Sequence, residues 1–225
     1  MAEVFKDEGI NVVAGVRYPN VAVEEEQVVL AMEQYGRTRQ LVVEGLLLAT
    51  GRSANVEHLS LDAAGVGLNG NGGIKIDDRM RTSGAGIYAA GDVRGQDQFV
   101  NMAAYGGRIA ASNALNGNSL VYDNSAMPAV TFSDPQVAID GLTERAARAR
   151  GIDVKTSVLP LDAVPRALAA RDTRGLIKLV ADAQSDQLIG AHNMAPEGGD
   201  SIQTAPLPIQ QGMTTKAPGA MNFPI

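Results

Sequence analysis

The stretch of this 225-residue chain with the most chemical content is Ile87-Tyr88-Ala89-Ala90-Gly91-Asp92. An apolar strand ending in Gly-Asp would put a carboxylate at the carboxyl edge of a sheet, where open α/β sheets bind ligands. Glycine lets a neighbouring group approach the backbone closely, and an ionised aspartate accepts hydrogen bonds from sugar-like hydroxyls. Downstream, Phe99–Leu115 is Ala-rich with Met102, Tyr105 and Ile109 at helical spacing, which predicts a helix. Its amino-terminal N–H groups would suit an anionic or electron-rich ring. Taken alone, however, the dipeptide is better explained as a turn after a buried strand.

Composition removes several chemistries. The chain has no cysteine and two histidines, so it offers neither a zinc cage nor a thiol nucleophile. His58 and His192 lie in unrelated regions and are expected to face solvent or to be hydrogen-bonded. A net charge of −6 argues against a nucleic-acid groove. The one basic cluster, Arg145, Arg148 and Arg150, reads as the solvated face of a helix. Leu41–Thr50 is too short to span a bilayer and is interrupted by Glu44 and Gly45. Met1–Glu8 carries Glu3, Asp7 and Glu8 and lacks the apolar core of an export signal, so a cytoplasmic protein without membrane contact is expected.

The elements that must position Asp92 fall into three regions. Over residues 1–51, Ile10–Val16, Gln27–Met32 and Gln40–Thr50 read as strands, the last apolar enough to be buried on both faces of a layered sheet. No Gly-rich nucleotide turn precedes them, so this region is expected to be the tail of a larger domain. Over residues 52–122, glycines punctuate short strands at Ile74–Ile76 and Ile87–Ala90 before the helix. Gly106-Gly107 inside that helix costs about 1 kcal/mol per glycine, tolerable if something large packs there. From Met127 onward, strands at Ala129–Phe132, Gln136–Ile139, Ile152–Leu159, Leu176–Ala181 and Leu188–Met194, with a helix over Glu144–Arg150, predict an α+β domain with helices on one face of the sheet. Thr143 is the expected N-cap of that helix and Gly151 its C′ residue.

Longer blocks change the reading of Gly91-Asp92. Leu46-Leu47-Leu48-Ala49-Thr50-Gly51-Arg52, with Asn55, together with Thr82–Asp92 resemble two late signatures of the pyridine nucleotide-disulfide oxidoreductase family. The first marks the return from the NAD(P)H domain to the FAD domain, and the second carries the aspartate that binds the FAD ribityl chain. Within the family, Leu59–Val66, Met80-Arg81-Thr82-Ser83, Gln98-Phe99-Val100, Ala126–Val130, Thr131–Ala138, Val164–Leu168, Asp172–Gly175 and Ile177–Val180 are similar to the mercuric reductases.

The resemblance implies a homodimeric flavoprotein that uses NADPH and FAD to reduce Hg(II) to Hg(0). It makes residues 1–51 a remnant of an NAD(P)H-binding domain and 52–122 the later part of an FAD-binding domain. Residues 127–225 become an incomplete α+β dimerisation domain. Gly91 and Asp92 would contact the FAD ribityl region, and Gln98, Phe99 and Val100 would lie by the flavin ring. The FAD dinucleotide motif, both cysteine pairs and the NADPH phosphate turn are absent, so the chain alone is expected to be inactive and to bind FAD weakly or not at all. Ile225 stands where the family carries a tyrosine after Phe-Pro, and the family's catalytic histidine would lie beyond it. Pro206 and Pro208 fall in Ser201–Met213, which the family makes helical, and each would cost roughly 3 kcal/mol inside a helix. Two further readings stay open: a dihydrolipoamide dehydrogenase-like parent acting on a small disulfide, and a non-catalytic module built on the dimerisation region.

Overall fold

The structure is a computed structural model and describes residues 1–221; the Asn222–Ile225 segment, with its expectation for Ile225, lies outside the described residues. The chain divides into two compact units, Met1–Arg52 and Ser53–Ile225.

In the first unit a short helix, α1 (Ala2–Asp7), precedes a three-stranded antiparallel meander of β1 (Arg17–Glu24), β2 (Gln27–Gln34) and β3 (Arg37–Val43). Both hairpins close through two residues at positive φ, Glu25 and Glu26 in one and Tyr35 and Gly36 in the other. Two such residues are what a tight turn needs to match the right-handed twist of its strands. This corrects the expected layout. Ile10–Val16 forms no strand, β1 lies just beyond it, and Leu46–Thr50 lies outside β3 and is exposed. The strand buried on both faces is not found: β3 is an edge strand and mostly exposed, while central β2 carries the buried Val29, Leu30 and Met32. Apolar content alone did not separate an edge strand from a central one, because pairing decides which strand has neighbours on both sides.

In the second unit residues 53–99 are irregular. Ile74–Ile76 and Ile87–Ala90 contribute only isolated bridges, Leu68 with Ile74, Ile76 with Thr82 and Arg81 with Tyr88. Helix α2 (Val100–Asn116) follows, ending at Gly117 in the left-handed region. Its Gly106 is where a Cβ would sit 3.1 Å from Met80 Cε, and Met80 is fully buried with Ile109 and Ala110. A large side chain therefore does pack on that glycine; Gly107 has open space.

The remainder is a five-stranded antiparallel sheet in the order β4 (Ala129–Thr131), β5 (Gln136–Gly141), β8 (Leu188–Ala195), β7 (Leu176–Asp182), β6 (Val154–Pro160). Helix α3 (Glu144–Ala149) packs Ala147 against Val154 and Val180 on one face. The Thr143 hydroxyl accepts from Ala146 N at 3.1 Å, an N-cap as the sequence predicts, and Gly151 takes φ +76°. The other face is covered by α5 (Gly198–Ser201), a 3₁₀ turn over Ile202–Thr204 and α6 (Pro206–Gln210), which bring Ile202 and Ala205 onto Ala138 and Ala191. Helices thus cover both faces rather than one, since the sheet buries Val154 and Val180 on one side and Ala138 and Ala191 on the other. Pro206 sits in the first turn of α6, where its missing N–H costs nothing, and the long family helix is divided into short turns here. Two further short helices, α4 (Pro165–Ala170) and α7 (Lys216–Gly219), complete the unit.

Candidate functional site

Gly91 opens a 3₁₀ turn over Gly91–Arg94 after extended Ala90. Its φ of +77° is a conformation L-residues avoid, and a Cβ there would meet Ala103 Cβ at 3.2 Å. The absence of a side chain therefore lets the turn seat on the first turns of α2. Asp92 follows on the exposed side of this turn, and its carbonyl accepts from Gly95 N at 2.9 Å. The expected sheet edge beneath it is absent, because the preceding segment makes only the Arg81–Tyr88 bridge. Asp92 is presented by a turn held against a helix.

Phe99 is the N-cap of α2 in extended conformation, and no side chain caps the helix. The first-turn amides of α2 thus keep their donor capacity, with the positive end of a 17-residue helix dipole behind them. Gln98 and Phe99 are half-buried and Val100 is 88% exposed. The Gln98 Nε2 is buried with no hydrogen-bond partner in the structure.

Four residues that the motif reading passed over hold this loop in place. Arg94 is buried; its guanidinium lies 3.5 Å from Asp97 Oδ2 and 4.5 Å from the Tyr122 ring centroid. Asp97 Oδ2 also accepts from Tyr122 OH and Asn124 Nδ2, each at 3.0 Å. Burial pushes the Tyr122 phenol above its ordinary pKa. From the other side, Asn69 Nδ2 donates to Arg94 O at 3.0 Å and Ile74 N donates to Val93 O at 2.9 Å. Gly73 comes so close that a Cβ would fall 2.1 Å from Arg94 O. Opposite charges three apart, Arg94 and Asp97, were a usable local signal; Tyr122 and Asn69 gave none, because their partners are 25 or more residues away.

Chemically the arrangement can accept hydrogen bonds through Asp92 and donate them through the start of α2. Those are the functions needed to hold a polyhydroxylated chain and an electron-rich ring. A separate cleft of about 630 Å³, lined by Lys75, Asp77, Arg81 and Tyr88 among others, contains none of the five expected contact residues. His58 is exposed, and His192 Nε2 lies 3.1 Å from Leu142 O, with burial lowering its pKa; neither belongs to the site. Arg148 pairs with Glu144 on the surface, and Arg145 and Arg150 are exposed, as a solvated helix face requires. Among the described residues no cluster of His, Asp and Glu could hold a metal, and no helix is long and apolar enough to cross a membrane.

Known proteins match along nearly the whole chain. The family profile of the pyridine nucleotide-disulphide oxidoreductases matches residues 1–112, and that of the family's dimerisation domain matches residues 127–224. A mercuric reductase of Bacillus cereus is 44% identical over 95% of this chain and 34% of its own length. One from Acidithiobacillus ferrooxidans is 46% identical over 98% of this chain and 39% of its own. The chain therefore spans little more than a third of the curated relatives it matches. Among solved structures, the HOCl-induced flavoprotein disulfide reductase RclA of Escherichia coli superposes with a TM-score of 0.85 at 28% identity, over 99% of this chain and 51% of that one. LpdA of Mycobacterium tuberculosis gives 0.84 at 26% identity, over 99% and 48%.

Proposed function

The chain belongs to the pyridine nucleotide-disulphide oxidoreductase family, and on that premise we propose that it supplies the later flavin-binding part and the dimerisation region of a mercuric reductase-like flavoprotein. In the longer protein the reaction is the NADPH-dependent reduction of Hg(II), the substrate, to Hg(0), in a cytoplasmic homodimer. The observation that carries this reading is the identity to mercuric reductases along almost the full chain, not at one motif. Residues 1–51 are the remnant of the NAD(P)H-binding domain, 52–122 the later FAD-binding part and 127–225 the dimerisation domain.

The residues present fit FAD. The uncapped amino end of α2 and the exposed carboxylate of Asp92 form a donor and an acceptor on one loop, whose backbone is fixed by Gly91 against Ala103. When bound, FAD supplies the two-electron relay from NADPH. Asp92 accepts hydrogen bonds from ribityl hydroxyls, and Gly91 lets the turn lie flat on α2. Gln98, Phe99 and Val100 border the ring, where the α2 amides stabilise negative charge. Arg94, Asp97 and Tyr122 keep the loop from shifting. No thiol step falls to this chain, which has no cysteine.

Purified chain titrated with FAD and read by its visible absorption tests the binding half of this reading. Weak or absent binding is expected, because the residues that would hold the adenine and pyrophosphate are not in these 225. Joined to the amino-terminal half of a relative, the chain is expected to take up FAD, and Asp92→Ala to weaken that uptake at least tenfold. Uptake unchanged by Asp92→Ala refutes the assignment of Asp92.

A further inference from the structure

Asp140 is the last residue but one of β5, fully buried, and neither carboxylate oxygen has a hydrogen-bond partner. Strand alternation puts it on the face that carries Ala138, and register sets it opposite Ala191 of β8. Those two alanines form an apolar cluster with Ile202 and Ala205, and Val130 and Ile209 pack against it. The carboxyl is therefore enclosed between the sheet and the turns that follow β8. No counter-charge reaches it. Glu197 and Asp200, at α5, are exposed; β4, the 202–204 turn and α6 carry no charged residue. On β8 only His192 titrates, and it pairs with Ile139 on the opposite face, bonded to Leu142 O.

An unpaired carboxyl in such a place costs far less when protonated than when ionised. We propose that Asp140 is a pH-sensitive latch, its protonated form holding the Gly198–Gln210 segment on the sheet and its ionised form loosening that segment. The coupling is mechanical: β8 is paired with β5 at Asp140 itself and β4 as far as Ile139, so the negative charge regains water when the covering turns lift. α5, α6 and the turn between them are short, so they can move without breaking a long helix.

Burial raises the Asp140 carboxyl to about 6, with the neighbouring Gly141 N–H drawing it back only in part because it lacks hydrogen-bond geometry. A carboxyl whose folded pKa is raised binds its proton more tightly in the closed state. The stabilisation is thus complete below the ordinary carboxylate range and is lost as pH rises to about 6. Between pH 5 and 7.5 this linkage makes opening about tenfold easier.

Hydrogen–deuterium exchange of the whole chain at pH 5 and pH 7.5, corrected for intrinsic rates, tests the latch. Protection of amides in Gly198–Gln210 is expected to fall about tenfold at the higher pH, while that of β6 and β7 holds. Asp140→Asn, neutral at every pH, is expected to abolish the difference, and Asp140→Val to abolish it with protection at or above the wild-type value at pH 5. Wild-type protection that is the same at both pH values overturns the proposal. So does a pH difference that survives in Asp140→Asn.

Discussion

Replacing Gly73 by alanine tests whether the loop behind Asp92 is held by close backbone packing. The added Cβ would lie 2.1 Å from Arg94 O, 2.3 Å from Arg94 C and 2.7 Å from Gly95 N. All three are backbone atoms, so no side chain can rotate away. An ordinary contact begins near 3.4 Å, which means that the two segments must part by about 1.3 Å. That separation stretches two hydrogen bonds beyond use, Asn69 Nδ2 to Arg94 O and Ile74 N to Val93 O. Each contributes about 1 kcal/mol, and overpacking adds about 1–3 kcal/mol. The expected loss is about 3–5 kcal/mol in the Ser53–Ile225 unit, measured by urea denaturation with tyrosine fluorescence from Tyr88, Tyr105 and Tyr122. Gly70→Ala is the matched control: its Cβ meets nothing within 4 Å, and the change is expected to stay within about 0.5 kcal/mol. If Gly73→Ala is no less stable than Gly70→Ala, the close approach described here does not exist.

Two further outcomes follow from particular contacts. Asn113, buried in α2, donates to Arg79 O and Leu120 O and accepts from Leu120 N, so Asn113→Leu strands three backbone groups. A loss of at least about 3 kcal/mol is expected from chemical denaturation, and a neutral result would mean that these bonds are not made. Thr143→Ala removes the N-cap of α3 and is expected to cost about 1 kcal/mol, with Thr143→Ser restoring it; equal midpoints for all three proteins would contradict the cap.

Much of the second unit was legible in the residue order because its signals are local. The period of Phe99–Leu115 predicts α2 within a residue at either end, and Thr143 and Gly151 mark α3. Pro206 and Pro208 put a long helix through Ser201–Met213 in question without deciding it, and the structure has short turns there. The strands of the five-stranded sheet were each found to within about two residues for the same reason, an apolar run bounded by turn residues. The first unit was read poorly. Its hairpins turn on Glu25-Glu26 and Tyr35-Gly36, and only the second pair contains a residue suited to positive φ. The glutamates adopt it because a two-residue turn of this hand matches the twist of the strands paired on either side.

By itself the sequence determined the family, the position of Gly91-Asp92 within a long run of matching blocks, and the absence of any thiol from the chain, since each depends only on which residues occur in what order. Tertiary structure alone decided that Asp92 is offered by a turn seated on a helix and not by a sheet edge, and that Arg94, Asp97 and Tyr122 lock that turn. It also decided that Asp140 lies on the face of its sheet that the turns after β8 cover. These depend on contacts between residues far apart in the chain, and burial of a charged or polar group is a property of what folds over it, which no local pattern records.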